Sequence, residues 1–360
     1  MVAFGLVMIY SVSKYYSLQI TDGHTDKYYL NKQLLCVVVG LFAWVIFQGI
    51  DYRFWQKKSA LMLLLTLGLL LLPLMPFGHG GGVGQRWINL KIFSFQPAEV
   101  AKLTFIIYLS GWFSSKDEDL NKIKKLFFPF AILVAAVSFL LLLQKDLGTL
   151  SIFVAISGAI FIFAGAPMYQ IAASGGIAGL LLWLAVKIEP YRMERMLTFL
   201  NPNNETQGAS YHIRNALIAI GSGGLFGLGF GQSKQKYLYL PEAHTDSIFE
   251  IISEELGFVR SIIVIILFTI VAVRGYKIAK NAPDTFSRLL AAGIITWLIA
   301  QMFVNIGTML SLLPMTGIPL PFISYGGSSL VVLLAAVGIV ANISKNQQIT
   351  TKLSNETRQK

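Results

Sequence analysis

Ten long runs of apolar residues follow one another along this chain. A run of about 20 apolar residues is enough for a helix to cross the hydrocarbon core of a bilayer. Charged residues make up only 13% of the chain, about half the share of a soluble domain, and the mean hydropathy is +0.64. The sequence therefore predicts an all-α integral membrane protein with about ten transmembrane helices. We place these spans at residues 1–18, 33–50, 59–77, 97–113, 127–143, 149–165, 169–187, 248–273, 288–310 and 325–343.

The connections between these runs differ in their content of lysine and arginine. With a cytoplasmic N-terminus, the short inside connections carry most of these residues, as the positive-inside rule requires. We therefore expect both termini in the cytoplasm. One long connection, about 188–247, would face outward before the eighth span, and its apolar stretches predict short amphipathic helices. We assign residues 1–344, with this loop, to one polytopic membrane domain, and residues 345–360 to a polar cytoplasmic tail that we expect to be disordered.

The formal net charge of +11 is compatible with two kinds of anionic partner. Basic residues hold cytoplasmic loops inside and attract anionic lipid headgroups, and they also suit a substrate that carries phosphates. Because the charge lies in the connections of a membrane protein, we expect no nucleic-acid partner. The single cysteine, Cys36, excludes an internal disulfide, and the sequence has no Cys/His pattern for a metal. The first run, Val2 to Val12, lacks a basic leader and a cleavage site, so we expect a chain that begins inside its first helix.

The first candidate for chemistry is Asp246, which ends the long loop in the segment Pro241 to Asp246. An acidic residue at the start of a helix commonly caps amides and meets the positive end of the helix dipole. A carboxylate at the membrane boundary can instead act as a general base, because partial burial raises its pKa toward neutrality. The residues alone favour the capping interpretation and leave the catalytic one open.

Charged residues at the start of the fourth run are the second signal. Glu99 and Lys102 follow Pro97, and their spacing places both on one helix face. A charge inside a span is costly and usually functional, so the pair indicates a site, although the two groups could also only neutralise each other. Arg86, after the glycine-rich residues 80–84 of the preceding outward loop, could bind a phosphate or a lipid headgroup.

Two further segments of the chain contain charged or helix-breaking residues. Asp146 lies beside Lys145 in a short outward turn, where an ion pair within the turn is the simplest explanation. Residues 313–329 contain three prolines and three glycines and cannot form a continuous helix. Irregular backbone at membrane depth occurs only where it is buried or lines a cavity, so we expect this segment to line a site.

These motifs, taken in order, resemble those of the SEDS proteins (shape, elongation, division and sporulation), polytopic glycosyltransferases that polymerise peptidoglycan from lipid II. The resemblance covers nearly the whole chain. It rests on Arg86-Trp87-Ile88, Gln96-Pro97-Ala98-Glu99 with Lys102, Asp146-Leu147-Gly148-Thr149, Asn201-Pro202, Gly221-Ser222-Gly223-Gly224, Leu240 to Asp246, Glu254-Glu255-Leu256-Gly257, and Pro319 to Ser329. Gln96 to Glu99, Gly227 to Ser233 and Pro241 to His244 are more similar to the division branch, FtsW, than to the elongation branch, RodA.

The resemblance implies a role for several residues. Asp246 matches the catalytic aspartate of the family, and Glu99 with Lys102 matches a charged pair in its central cavity. The resemblance also implies a class B penicillin-binding protein and other divisome proteins as partners, and a divalent cation, Mg²⁺ or Mn²⁺, in the activity, although no residue is assigned as its ligand. The expected substrate-binding residues are Arg86, Glu99, Lys102, Asp146, Arg214, His244, Thr245 and Ser324.

The chain also departs from the family pattern. Lys145 stands where Pro is usual, Ser247 where Phe is usual, and Arg260 where Gly is common. Further replacements in the long loop are Ser210, His212, Asn215 and Ala216. None removes the aspartate or the charged pair, but they leave the substrate contacts of the loop open. Two other functions also remain open at this point: a lipid II flippase or other transporter, and a non-enzymatic scaffold for a penicillin-binding protein.

Overall fold

The computed structural model describes residues 1–76, 78–79, 84–89, 94–115, 120–200, 209–237 and 239–358. Each of the ten predicted apolar runs lies on its own helix, so the all-α prediction is confirmed. The helices of the described residues are α1 (Val2–Ile20), α2 (Tyr28–Gly49), α3 (Tyr52–Lys57), α4 (Ser59–Leu71), α5 (Pro97–Ser114), α6 (Leu120–Leu143), α7 (Leu147–Phe163), α8 (Met168–Ile188), α9 (Pro190–Leu200), α10 (Ala209–Ser222), α11 (Ile248–Lys280), α12 (Thr285–Met309) and α13 (Gly327–Arg358).

Length and composition identify the helices that can cross a membrane. Within the described residues, α2, α8, α11, α12 and the first part of α13 are each long and apolar enough. Shorter apolar helices lie at Ser59–Leu74, Phe127–Leu143 and Leu147–Phe163. Large apolar side chains on α2 and α8 are exposed, such as Phe42 at 68% and Trp183 at 52%. Exposed apolar side chains of this size on long apolar helices suit lipid rather than water, and the chain is an all-α multi-pass membrane protein.

The helix α5 is packed differently from α2 and α8, because it is buried along most of its length. Its core contacts include Phe105, whose ring centroid lies 5.3 Å from that of Phe153 on α7. A helix that is apolar on all sides is stable only when protein or lipid surrounds it. The burial of α5 therefore explains why Glu99 and Lys102 at its start are removed from solvent as well.

A small antiparallel sheet precedes α5 and was not predicted from the sequence. Its strands are β1 (Gly78–His79), β2 (Trp87–Asn89) and β3 (Ser94–Phe95), in the order β1-β2-β3. Gly78 pairs with Ile88, and Ile88 pairs with Phe95. Strands this short have no readable alternation of apolar and polar residues, which is why the pattern gave no signal.

The chain forms two compact units. The first comprises Met1–Val38, Leu181–Ile270 and Ile299–Leu330, and the second comprises Val39–Leu180, Val271–Leu298 and Val331–Lys360. The predicted site residues divide between the units. The first unit contains Arg214, His244, Thr245, Asp246 and Ser324, and the second contains Arg86, Glu99, Lys102 and Asp146.

The long loop and the C-terminal segment test two expectations. The short helices expected in the loop are present as α9 and α10. The expectation of a disordered tail is wrong, since α13 continues past residue 344 to Arg358. The apolar part of α13 supplies the costly helix nucleus, and each added residue then extends an existing helix. The motif Asn201-Pro202 and the glycine-rich residues 80–83 lie outside the described residues.

Candidate active site

Asp246 lies two residues before α11, in a tight turn of the first unit. The amide of Thr245 donates to the carbonyl oxygen of Glu242 at 3.0 Å, and Glu242 adopts a φ of 50° to form the turn. The Thr245 hydroxyl lies 3.0 Å from Glu242 Oε2 and 3.3 Å from Asp246 Oδ1, so its one hydrogen can bond either carboxylate. Within the described residues, no amide of the first turn of α11 bonds the Asp246 carboxylate, so the capping interpretation gains no support.

The electrostatics of this turn suit proton transfer. Burial, together with the neighbouring Glu242 carboxylate, raises the pKa of Asp246 to about 7. The Thr245 hydroxyl and the Arg195 guanidinium act in the opposite direction. Asp246 is half-buried, so part of its side chain remains open. A carboxyl group with this pKa can accept a proton and release it again near neutral pH.

The side chain of Asn305 on α12 fixes the backbone of Asp246. Its Nδ2 donates to the carbonyl oxygen of Asp246 at 2.7 Å and to that of Ile318 at 2.8 Å, and the residue is fully buried. Ile318 belongs to the irregular segment between α12 and α13. A Cβ on Gly317 of that segment would lie 3.5 Å from Asp246 Oδ2. The irregular segment therefore lies against the carboxylate, as expected for a segment that lines a site.

Ser324 holds the irregular segment in shape. Its Oγ accepts a hydrogen bond from the amide of Leu320 at 2.8 Å, and the residue is buried. Gln33 on α2 accepts from the amide of Gly326 at 3.3 Å and donates to the carbonyl oxygen of Ser324 at 3.4 Å. The Ser324 hydroxyl thus serves its own turn, and its substrate-binding role stays a prediction.

His244 is packed among three tyrosines. The ring centroids of Tyr29, Tyr16 and Tyr325 lie 4.3, 5.0 and 5.6 Å from that of His244. Burial lowers the pKa of His244 to about 4, so the ring is neutral near pH 7. With 5% of its surface exposed, His244 has little room to touch a substrate in this arrangement, and its predicted binding role is not supported by the geometry.

A second buried histidine, His212 on α10, contacts the residue that follows Asp246. Its Nε2 lies 2.9 Å from Ser247 Oγ and 3.0 Å from the carbonyl oxygen of Pro241. Because a carbonyl oxygen can only accept, Nε2 carries the hydrogen. Burial lowers the pKa of His212 to about 4. His212 therefore contacts Ser247 directly beside Asp246.

The basic residues of the long loop differ in where they lie. Arg214 is exposed on α10, and no hydrogen bond or ion pair joins it to another described residue. Arg195 on α9 is half-buried, and its Nη1 donates to the carbonyl oxygen of Met315 at 3.0 Å. Sequence reasoning named Arg214 and passed over Arg195. Spacing along the chain does not distinguish the two arginines, because only the contact of Arg195 with the irregular segment does so.

The motif Glu254-Glu255 anchors the second half of the long loop. Glu254 accepts from the hydroxyl of Ser233 at 2.5 Å. Glu255 is fully buried and accepts from Lys236 Nζ at 2.9 Å and from the hydroxyl of Ser11 on α1 at 3.0 Å. A buried ion pair with additional hydrogen bonds is costly to break, because each partner left alone is an uncompensated charge.

The glycine cluster of residues 221–231 packs against a break in α11. The break is at Gly257, which adopts a φ of 80° and a ψ of 176°. The amides of Leu228 and Gly229 donate at 2.9 and 3.0 Å to the carbonyl oxygens just before the break. A Cβ on Gly257 would lie 2.2 Å from the amide nitrogen of Gly227. The cluster is therefore an ordered turn that satisfies the broken helix.

Glu250 lies in the first turn of α11 and was overlooked in the sequence. The residue has no exposed surface, and neither of its carboxyl oxygens makes a hydrogen bond to a described residue. The sequence Ser247 to Glu250 has the spacing of a capping box. That box is not closed, because the Ser247 amide donates to the carbonyl oxygen of Glu242 at 3.4 Å and the Ser247 hydroxyl contacts His212.

In the second unit, Glu99 and Lys102 form the buried pair that their spacing predicts. Lys102 Nζ lies 2.8 Å from Glu99 Oε1, and both residues are 2% exposed. Lys102 Nζ also lies 4.9 Å from the ring centroid of Trp297, within the range of a cation–π contact. Glu99 Oε2 is buried and has no hydrogen-bond partner among the described residues. The role of the pair in a substrate cavity stays a prediction.

Arg86 and Asp146 meet at the end of α6. Arg86 donates to the carbonyl oxygens of Gln144, at 3.5 Å, and of Lys145, and its Nη1 lies 3.7 Å from Asp146 Oδ1. Asp146 caps α7 by accepting from the amide and the hydroxyl of Thr149 at 3.0 and 2.8 Å. Both residues therefore have local structural partners, and their substrate-binding roles stay predictions.

A divalent cation would need several oxygen or nitrogen ligands that converge. In the part of the chain that the structure describes, no group of three or more His, Cys, Asp or Glu side chains could hold one. The described residues therefore hold no ready-made site of this kind, and the expected role of a divalent cation stays a prediction.

Comparisons with known proteins agree with this architecture. A family described as cell cycle proteins, FtsW, RodA and SpoVE, matches residues 1–349. Stage V sporulation protein E of Bacillus subtilis is 37% identical over 347 residues, which cover 95% of this chain and 93% of that protein. The probable peptidoglycan glycosyltransferase FtsW of Trichlorobacter lovleyi is 38% identical over 344 residues, which cover 95% of this chain and 90% of that protein.

Two solved structures are similar along the whole chain. The rod shape determining protein RodA of Thermus thermophilus is 26% identical, with a TM-score of 0.68 and coverage of 96% of this chain and 93% of that one. The second is a chain of a peptidoglycan synthase complex whose structure concerns the coordination of polymerization and crosslinking. It is 25% identical, with a TM-score of 0.75 and coverage of 96% of this chain and 97% of that one.

Proposed function

Because this chain belongs to the FtsW, RodA and SpoVE family of cell cycle proteins, we propose that it is a peptidoglycan glycosyltransferase of the bacterial cytoplasmic membrane. It polymerises lipid II into glycan strands on the outer face of that membrane, for septal wall synthesis during cell division. Relatives named as probable peptidoglycan glycosyltransferases, with 38% and 36% identity over most of the chain, support the activity. Their name FtsW and the division-like motifs support the septal role.

The observation that supports the site best is the state of Asp246. Its carboxyl group has a pKa of about 7, is half-buried, and has its backbone fixed by Asn305. A general base works best when its pKa is near the working pH and its position is set in advance. Asp246 meets both conditions.

The reaction assigns one proton transfer to this residue. The Asp246 carboxylate accepts the proton of the acceptor sugar hydroxyl of lipid II while the hydroxyl oxygen bonds the anomeric carbon of the lipid-linked donor glycan. The bond from that carbon to the pyrophosphate breaks, and the lipid pyrophosphate leaves with the electron pair. Asp246 then releases its proton to water. A positioned general base typically contributes about 10²- to 10⁴-fold to the rate.

The orientation and the partner belong to the same proposal. Both termini lie in the cytoplasm and the Asp246 turn lies outside, which agrees with the charge of the short connections. A class B penicillin-binding protein supplies crosslinking beside this chain. The similarity to a chain of a complex that coordinates polymerization and crosslinking supports such a partner.

The test is polymerisation of lipid II by the purified protein with its penicillin-binding partner. Asp246→Asn should abolish polymerisation while the protein remains folded. Asp22→Asn is the matched control, because it makes the same chemical change at an exposed residue of the same unit. Full activity of Asp246→Asn would refute the assignment of the base. Lipid transfer between leaflets without polymerisation would instead support a transporter. Normal growth of cells that carry only the Asp246→Ala protein would support a non-enzymatic scaffold.

A further inference from the structure

We propose that Arg195 binds the pyrophosphate of the lipid-linked donor and keeps Asp246 ionised while that anion occupies the site. This inference rests on the proposed function and deepens it, because it names the residue that meets the charged part of the substrate. Arg195 was not among the residues expected from the sequence to bind substrate.

The surroundings of Arg195 suit an anionic ligand. Its Nη1 bonds the carbonyl oxygen of Met315, which uses one of the five N–H donors of a guanidinium. The guanidinium carbon lies 5.5 Å from the ring centroid of Tyr191, so an aromatic face supports it from one side. Arg195 is half-buried, and within the described residues no carboxylate forms an ion pair with it. A partly desolvated cation with free donors and no counter-charge favours binding of an anion.

The irregular segment connects Arg195 with Asp246. The segment accepts the Arg195 hydrogen bond at Met315 and passes against the Asp246 carboxylate two residues later, at Gly317. Met315 Sδ also lies 3.1 Å from Nδ1 of His212. The position of the guanidinium relative to the carboxylate is thus set by packed groups of one unit. Burial and the Glu242 carboxylate raise the pKa of Asp246, and the Arg195 charge is the smallest of the influences that lower it.

A cation is needed at this place because the base and the substrate are both anions. A pyrophosphate that binds beside Asp246 favours proton uptake by the carboxylate, which would remove the base. The titratable groups that act on Asp246 in the first unit are Glu242 of the same turn, Tyr16 of α1, Arg195 of α9 and Glu250 of α11. His212 of α10 contacts the next residue, Ser247. The histidine is neutral near pH 7, so among these groups the positive charge belongs to Arg195.

The two roles can be separated by substitution. Arg195→Lys keeps the positive charge but loses the planar fork that bonds two phosphate oxygens at once. Arg195→Gln loses both the charge and the fork. Both variants should therefore bind the donor more weakly, whereas only Arg195→Gln should make Asp246 harder to ionise.

The experiment measures kcat and KM for lipid II polymerisation across the pH range, with the purified protein and its penicillin-binding partner. We expect KM to rise roughly tenfold to hundredfold in both variants, the size expected for a lost charge-assisted hydrogen bond. The midpoint of the acid limb should move to higher pH in Arg195→Gln and stay near wild type in Arg195→Lys. Lys234→Gln is the control, because the Lys234 side chain is exposed on the same loop. The substitution keeps the hydrogen bond that the Lys234 backbone N–H donates to the Glu254 carboxylate.

Several outcomes would overturn the inference. An unchanged KM in a folded Arg195→Gln protein would do so. If Arg195→Gln does not fold, Arg195→Lys provides the test. A raised KM with an unchanged midpoint of the acid limb supports the inference, and an unchanged KM refutes it. A rise of KM that occurs in phosphatidylglycerol vesicles but is absent in phosphatidylcholine vesicles would assign Arg195 to lipid headgroups. An inactive wild-type protein, or an active Asp246→Asn, would instead refute the proposed function.

Discussion

The Asn305 amide offers a direct test of how the Asp246 carboxylate is positioned. Asn305→Ala leaves the carbonyl oxygens of Asp246 and Ile318 without their shared donor, at a residue that has no exposed surface. A buried carbonyl that loses its partner costs about 1–3 kcal/mol, so the buried bond to Ile318 should contribute about that much to the loss in the free energy of unfolding. The loss is large against a total stability of about 5–15 kcal/mol.

The same substitution should lower kcat, because the turn that carries Asp246 loses its attachment to α12. A base that is no longer held in position forfeits part of its contribution of about 10²- to 10⁴-fold. The assay combines thermal unfolding of the purified protein in detergent with the rate of lipid II polymerisation. Gln301→Ala is the matched control, since Gln301 lies one turn earlier on α12 and donates to the carbonyl oxygen of Pro319 at 3.0 Å without touching Asp246. If Asn305→Ala polymerises no more slowly than Gln301→Ala, the positioning argument is refuted.

The pH dependence of polymerisation should follow the ionisation of Asp246: the rate falls roughly tenfold for each pH unit below a pKa of about 7. Glu242→Gln should move the midpoint to lower pH, because the Glu242 carboxylate raises that pKa, and a midpoint that stays in place would contradict this. Gly257→Ala should lower the melting temperature far more than Gly231→Ala. The backbone strain is alike at the two positions, with φ angles of 80° and 78°, but only a Cβ on Gly257 would clash with backbone, at 2.2 Å from the Gly227 nitrogen. Glu250→Met should stabilise the protein by about 1–3 kcal/mol, since it removes a buried carboxyl group without partners, and a lower melting temperature would count against this account.

The apolar pattern predicted the helices because burial in lipid constrains composition strongly. Runs of apolar residues matched ten helices, and the prolines and glycines of residues 313–329 marked the irregular segment correctly. The tail was predicted wrongly from its polar composition, since composition does not reveal that a stable helix precedes it.

The contacts around Asp246 were beyond the reach of local patterns. The Ser11 hydroxyl donates a hydrogen bond to Glu255, which lies 244 positions away in the sequence. The Asn305 amide donates to the carbonyl oxygen of Asp246, which lies 59 positions away. Such contacts depend on how helices pack, and no spacing within a short window records them. Arg195 was overlooked for the same reason, because only the packed irregular segment distinguishes it from Arg214.

The ion pair of Lys236 with Glu255 has a topological consequence. It joins two points of the chain that lie 19 positions apart, and Asp246 lies close to the midpoint between them. The intervening chain is therefore closed into a ring that contains the Asp246 turn. Closing such a ring removes many of the conformations that an open loop would sample, as a disulfide does, but the closure is reversible and electrostatic. A change in the charge of either partner would open this ring, while Asn305 would still hold the Asp246 backbone.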